Sequence, residues 1–246
     1  MHCGVGPGKV MTGILAIETA TEVCSVALYL DGEITERHEL APREHSRRLF
    51  GMLEELLPGG DLRGAGVDAI AYGCGPGSFT GLRICASAVQ GLAYTSALPA
   101  IPISTLACQA QTALREGVVA EDATVLSTLD AGIHEVYYAI YRFQQGLPRL
   151  HLGPVAGAPG RIRPFDDIVR LPAVGSGARL LEQSPATVRA QLGAVYPDLL
   201  PAARDLLPLA LFSLSQGRTQ SPGEVQPVYV RDEISWKKLA EQGKSA

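Results

Sequence analysis

The sequence predicts an α/β protein with a mixed sheet, and three observations carry that prediction. The chain opens with three strand-like runs separated by turn residues, which is an antiparallel β-turn-β-turn-β ribbon. Further along, strand-like and helix-like stretches alternate, the pattern of strands joined by crossover helices. The composition is that of a folded globular chain, with 46% hydrophobic and 19% charged residues over 246 positions. That is too apolar for disorder and long enough to bury a core without a metal or a disulfide.

The elements follow in order. Ile14-Leu15-Ala16-Ile17-Glu18 is a short apolar run ended by Thr19-Ala20-Thr21-Glu22, a strand and a turn. Cys24–Leu30 is a second strand, Asp31-Gly32 supplies the two positive-φ positions of a tight hairpin, and Glu33–Leu40 is a third, more polar strand. Between Arg43 and Leu57, apolar residues at Leu49, Met52, Leu53 and Leu56 follow i, i+3, i+4, i+7, an amphipathic helix closed by Pro58-Gly59-Gly60. Val67–Tyr72 is a strand, Gly73-Cys74-Gly75-Pro76-Gly77 a glycine-rich turn, and Ser78–Ala97 a long helix rich in Gly and Ala. A strand at Ala100–Ser104 leads into a helix at Thr105–Glu116, and Thr124–Leu129 and Glu135–Phe143 are strands. Leu147–Pro164, with Pro148, Pro154 and Pro159 and three glycines, reads as loop. A strand-to-turn at Ala173–Gly177, a helix from Ala178, a helix over Arg204–Gln216 and a short strand at Val228–Val230 complete the reading. No repeat of 20–50 residues is visible.

Charge and cysteine usage exclude several classes. A formal charge of −4 argues against a broadly basic nucleic-acid surface. No apolar run reaches the ~18–20 residues of a membrane span; the richest, Leu206–Leu214, is broken by Pro208. The five cysteines, Cys3, Cys24, Cys74, Cys85 and Cys108, form no C-x-x-C pair and read as buried thiols of a reducing compartment. Met1–Val10 has no signal-peptide core and reads as an extension before a second methionine, Met11, so the expected location is cytoplasmic.

The glycine run before the second long helix is the first candidate for chemistry, because a helix N-terminus offers N–H groups to an anion. The nucleotide-binding spacings fail there. No lysine lies between Lys9 and Lys237, and Ser78 and Thr80 occupy the final glycine positions of the two possible G-x-G-x-x-G registers. A structural turn, with Gly73, Gly75, Gly77 and Gly81 allowing close backbone approach and Ser78 or Thr80 capping, is the favoured reading. Metal ligands are scarce: His38 and His45 share no helical spacing, and His134-Glu135 lacks a second histidine because Tyr138 stands there. Asp166-Asp167 reads as a helix N-terminal pair. Asp130, ending an apolar strand, either caps a turn or faces a ligand cleft.

Three stretches then carry a family resemblance: Ile14–Thr21, Pro42-Arg43-Glu44-His45-Ser46, and Gly73-Cys74-Gly75-Pro76-Gly77-Ser78-Phe79-Thr80-Gly81-Leu82-Arg83. With Ile103–Leu106, Leu129-Asp130-Ala131, Glu135-Val136-Tyr137, Pro227–Arg231 and Trp236–Leu239, they resemble the TsaB (YeaZ) family from Met11 onward. The resemblance implies a two-lobed actin-like ATPase (ASKHA, ribonuclease H-like) fold. Residues 11–104 plus about 205–246 would form lobe I, and about 105–204 lobe II. It also implies a role in forming N6-threonylcarbamoyladenosine at position 37 of tRNAs that read codons beginning with A. In that role the chain is a non-catalytic partner of TsaD, with the ATPase TsaE joining the pair and tRNA met through the complex. A homodimer is implied when the chain is alone. No cofactor of its own is implied, ATP or ADP being restricted to the interface with TsaD. The metal-binding His-x-x-x-His of TsaD-type proteins registers on Thr105 and Gln109 here, so no metal is expected. The partner surface of the family resembles a bundle made from the first two long helices, and Leu49, Met52, Leu53, Val89 and Tyr94 are its candidate residues in this chain.

Two further readings compete. An ATP-dependent small-molecule kinase or ATPase of the same superfamily would use Glu18 and Asp130 as its carboxylates, although the turn after Glu18 lacks a glycine. Direct tRNA contact would use Arg43, Arg47 and Arg48 near His45, with Lys237-Lys238 beside Trp236.

Overall fold

The computed structural model describes residues 12–230 apart from Asp167 and Val169. The extension 1–10, Met11, Arg231 and the Trp236–Leu239 stretch lie outside the described residues.

The chain forms two five-stranded sheets. In the first, β1 (Gly13–Glu18), β2 (Val23–Leu30) and β3 (Glu33–Leu40) make the antiparallel ribbon, and β4 (Val67–Gly75) and β5 (Ala100–Ser104) add to β1 in parallel. The order is β3-β2-β1-β4-β5. Strands β1 and β4 are buried almost throughout, as central strands covered on both faces must be. Strand β3, at the edge, is polar and exposed, which blunts it against pairing with other chains. Helices α1 (His45–Leu56) and α2 (Phe79–Ser96) cover one face, with Leu49, Met52, Leu53, Cys85 and Val89 packed on Leu15, Ile17, Val26 and Ile70.

The second sheet repeats the pattern. Strands β6 (Thr124–Gly132), β7 (Glu135–Gln144) and β8 (Leu147–Gly157) are antiparallel, and β9 (Leu171–Val174) and β10 (Leu192–Tyr196) continue in parallel from β6. Helix α3 (Thr105–Arg115) runs between the sheets, its apolar residues packed with Val125, Leu129, Ala139 and Tyr141. The short helix α4 (Ala186–Arg189) precedes β10, and α5 (Leu206–Ser215) returns to the uncovered face of the first sheet, against Ile14, Ala16, Ala71 and Ile101. Asp205, almost fully buried, ties α3 to that return: Arg115 donates to both of its oxygens at 2.7 and 3.0 Å, and the Thr112 hydroxyl donates at 2.8 Å.

Three expectations are corrected. Leu147–Pro164 is not all loop, because its first eleven residues are β8. Its prolines are tolerated because β8 is an edge strand, where a missing N–H leaves no ladder bond unmade. Val228–Val230 forms no strand; a single backbone bond, from Val228 N–H to the Cys74 carbonyl at 2.7 Å, holds it across the end of β4. Asp166 lies in an exposed turn and starts no helix, while Asp167 is outside the described residues.

Candidate functional site

The glycine run packs under the turn that joins β1 to β2. A Cβ on Gly77 would stand 2.4 Å from the Ala20 carbonyl oxygen, and one on Gly81 would stand 2.0 Å from that of Thr19. Only glycine permits this approach. Hydrogen bonds lock it: Ser78 N–H donates to the Ala20 carbonyl at 2.7 Å, and the Thr19 hydroxyl donates to the Gly81 carbonyl at 2.8 Å. Ser78 also caps α2, its hydroxyl accepting from Gly81 N–H at 3.3 Å. The backbone of the β1–β2 turn therefore packs directly against the glycine run at Gly77 and Gly81.

Glu18 lies beneath this packing and is fully buried. Its Oε1 accepts from Ala20 N–H at 2.7 Å, while Oε2, against Gly73, has no hydrogen-bond partner. Burial pushes its carboxyl up to about 7, partly offset by the bond from Ala20 N–H. The same burial, helped by Glu18, drives the Cys74 thiol up to about 12 and Cys85 well above the usual thiol range. Cys24, Cys74, Cys85 and Cys108 are free and buried, inert environments for a thiol. The positions that register on the paralogous metal ligands are also internal. Thr105 is buried beside Glu18, and Gln109 accepts from the Ser127 hydroxyl at 2.7 Å and donates to the Leu199 carbonyl at 3.0 Å. Gln109 is a strut between α3, β6 and the loop after β10.

Between the two sheets lies a cleft of about 1310 Å³. One wall carries Thr21, Glu22, Ser78, Phe79 and Thr80, and the other carries Asp130, Ala131, Gly132, Ser176 and Arg179. The N-termini of α1 and α2 both open toward it, through Arg43, His45 and Ser46 in one case and Ser78–Gly81 in the other. Asp130 fills both roles foreseen for it: it lines the cleft, and its Oδ1 accepts from Gly132 N–H at 2.8 Å. Glu18 does not line the cleft, so the two carboxylates a kinase would need do not converge. Of the arginines considered for tRNA contact, Arg43 faces the cleft and Arg47 is exposed, whereas Arg48 is engaged by both oxygens of Glu39.

Sequence reasoning missed one cluster at the cleft mouth. The Arg83 guanidinium sits 4.0 Å from the centroid of the Phe79 ring, and Tyr229 packs on the same ring at 5.7 Å. The i, i+4 spacing of Phe79 and Arg83 on α2 was the available signal; the arrival of Tyr229 from 146 residues away was not.

The helix-pair candidates divide sharply. Leu49, Met52, Leu53 and Val89 are buried against the first sheet, which corrects their assignment as contact residues: the apolar stripe is consumed by the core. Tyr94 stands 78% exposed, and Phe50, outside the candidate set, 58%. Gly51 on α1 and Gly91 on α2 have nothing within 4 Å of where a Cβ would stand.

Comparison with known proteins bears on this architecture. The family model for TsaD, tRNA N6-adenosine threonylcarbamoyltransferase, matches residues 33–163. The Escherichia coli (strain K12) protein named tRNA threonylcarbamoyladenosine biosynthesis protein TsaB is 38% identical over 92% of this chain and 97% of its own length. Its Haemophilus influenzae namesake is 35% identical over 92% and 96%. The chain belongs to the TsaB family. A solved structure, YeaZ from Pseudomonas aeruginosa, superposes with a TM-score of 0.79 at 39% identity, covering 89% of this chain and all of that one. The TsaB-type fold thus spans the described residues, and the cleft and helix pair are parts of that fold. Among the described residues no cluster of three or more His, Cys, Asp or Glu could hold a metal, and no helix is long and apolar enough to cross a membrane.

Proposed function

We propose that this chain is the non-catalytic partner subunit of TsaD in forming N6-threonylcarbamoyladenosine at position 37 of tRNAs that read codons beginning with A, and that it works in the cytoplasm. The observation that carries the non-catalytic part is the fate of the groups a catalyst would use. Glu18 is sealed under the glycine run, and Gln109 is spent on Ser127 and Leu199. A general base or metal ligand must reach the reacting atoms, and neither residue reaches solvent. On this reading the chain has no cofactor of its own, ATP or ADP is confined to the interface with TsaD, and tRNA is met through the complex.

The surface offered to TsaD, and to a second copy when the chain is alone, is the outer face of α1 and α2. Two features support it. Phe50 and Tyr94 are large, exposed and aromatic, the composition of interface anchors. Gly51 and Gly91 each cost roughly 0.5–1 kcal/mol relative to alanine inside a helix, and nothing within the chain comes close enough to require them. A partner helix approaching closely would require them. TsaE joins the pair in this proposal.

The test is reconstitution. Purified synthase, TsaD and TsaE are incubated with tRNA, with and without this chain, and threonylcarbamoyladenosine is read by mass spectrometry. Product only when the chain is present is the expected result, and Glu18→Gln should leave it unchanged. Equal product without the chain overturns the reading. Tyr94→Glu, on an exposed position, should leave the unfolding midpoint unaltered and weaken association with TsaD at least tenfold. Undiminished association removes Tyr94 from the interface.

A further inference from the structure

A second, smaller groove lies where α5 meets the β7–β8 hairpin, with a volume of about 170 Å³. Two guanidiniums line it: Arg149, on β8, and Arg218, just past the end of α5. Arg149 lies over the ring of Phe212, 4.0 Å from its centroid, and the backbone N–H of Arg218 donates to the Ser213 carbonyl at 2.9 Å. Ser104 and Ser213 add hydroxyls to the lining, and none of the lining residues is acidic. A guanidinium stacked on a ring keeps its in-plane N–H fork for a ligand, and that fork matches the oxygens of a phosphate.

The surroundings leave this charge uncompensated. From Val136 to Phe165 the sequence holds no Asp or Glu, so all of β8 and β7 beyond its first residue carry no carboxylate. Arg142 stands directly opposite Arg149 in the register of the two strands, and like charges so placed repel. Among the described residues no carboxylate is paired with Arg142, Arg149 or Arg218, and that includes Glu121 and Asp122 on the loop before β6. In a chain of formal charge −4 this is a local concentration of unpaired cations. An anion seated between Arg149 and Arg218 relieves the repulsion.

The size of the groove selects the form of that anion. Sites that engulf a small molecule run to roughly 300–1,000 Å³, and this groove is smaller. It suits one phosphate presented by a larger ligand. We propose that Arg149 and Arg218 grip a backbone phosphate of the tRNA, giving this chain a direct contact with the nucleic acid inside the assembly. The site is distinct from Arg43, Arg47 and Arg48. It rests on the reading above, that the chain works with TsaD and TsaE on tRNA, the one polyanion of that reaction.

The test compares two double variants of equal charge change. Arg149→Gln with Arg218→Gln empties the groove of cations; Arg161→Gln with Arg163→Gln removes two exposed arginines that do not line it. Binding of labelled tRNA to the assembly of this chain with TsaD and TsaE is followed by fluorescence anisotropy over a range of salt. The groove variant should bind tRNA at least tenfold more weakly and lower the slope of log affinity against log salt by about one. The control variant should lose less than about threefold. Association with TsaD and the unfolding midpoint, within about 2 °C, should be unchanged in both. If the groove variant is destabilised, Arg218→Gln alone, at an exposed position, should still weaken tRNA binding about threefold. Unaltered tRNA affinity overturns the site, as does an equal loss in the control or failure of the unsubstituted assembly to bind tRNA. Weakened association with TsaD or TsaE in place of tRNA overturns it in favour of an acidic protein surface. Protection of the chain by inorganic phosphate with no effect of the substitutions on tRNA overturns it in favour of a free anion. Reconstitution separates this failure from that of the underlying reading. Chain-dependent modification with an unchanged KM for tRNA in the groove variant sinks the site alone, whereas modification that proceeds without the chain sinks the reading.

Discussion

The two sheets have the same connectivity and different coverings. Each is a three-stranded antiparallel ribbon whose first strand continues into two parallel strands, giving β3-β2-β1-β4-β5 in one lobe and β8-β7-β6-β9-β10 in the other. The correspondence extends to the turns. In lobe I the glycine run after β4 packs beneath the β1–β2 turn. In lobe II the glycines after β9 pack beneath the start of the β6–β7 turn, where a Cβ on Gly177 would stand 2.8 Å from the Leu129 carbonyl oxygen. The coverings diverge. Lobe I is clad by α1 and the 18-residue α2. Lobe II has, at the matching crossovers, the 3₁₀ turns Pro159–Arg161 and Ser176–Gln183 and the four-residue α4. Pro159, Pro164 and Pro185 in those connections preclude long helices there. One topology thus yields a helix-faced lobe suited to pairing with other helices and a lobe whose crossovers are short turns.

The comparison can be broken most forcefully at the matched glycines. Gly81→Ala drives a Cβ into the Thr19 backbone, which cannot step aside without losing the locked turn, and should cost about 4 kcal/mol in urea unfolding. Gly177→Ala meets Val136 Cγ2 at 2.5 Å as well as Leu129, and part of that clash is a movable side chain, so about 2 kcal/mol is expected. Equal costs would mean that the two glycine turns are packed alike.

The link between the lobes is next. Arg115→Ala strands the buried Asp205 carboxylate and should destabilise by about 3 kcal/mol, with both lobes unfolding in one transition in the unsubstituted chain. Two separate transitions in the variant would show that this tie supplies the cooperativity. Thr112→Val, which removes only one bond to Asp205, should cost about 1–2 kcal/mol.

Glu18 has no buried counterpart in lobe II, where the matching strand ends in the exposed Asp130, and pH exposes that asymmetry. Its folded-state value of about 7 lies above the ordinary carboxyl value of 4.5, so between those pH values the folded chain holds a proton that the unfolded chain releases. Stability therefore falls as pH rises through that window and levels off above it. Glu18→Gln, an isostere of the protonated acid, should flatten this part of the profile and gain up to about 3 kcal/mol at pH 8. Its added N–H can donate to the Thr105 hydroxyl, which has no hydrogen-bond partner. A loss of stability at pH 8 would show that the carboxylate is better solvated than its burial indicates.

Lobe I was the more legible half, because its signals are local. Asp31-Gly32 specified a hairpin, the i, i+3, i+4, i+7 stripe from Leu49 specified α1, and the strand–glycine–helix succession at Val67–Ser96 specified its crossover. Lobe II was read through β7, then lost at β8, since Pro148 and Pro154 are forbidden in a central strand and harmless at an edge, and no local pattern says which strand is at the edge. The same limit governed the site. The stripe that defined α1 also suggested contact residues, but an amphipathic pattern states only that one face is apolar. The fold directed Leu49, Met52, Leu53 and Val89 inward and left Phe50, Tyr94 and two open glycines outside.

What the sequence determined by itself is the class of fold, most of its elements and the family, because each is written in short-range spacing or in an extended motif. Only the tertiary structure decided that the two lobes share one topology, that Glu18 is sealed away from the cleft, that Gln109 is a strut, and that Ile133 stands exposed in the β6–β7 turn. Each of these depends on which distant segments meet, and burial, desolvation and close approach are properties of that meeting rather than of any stretch of chain.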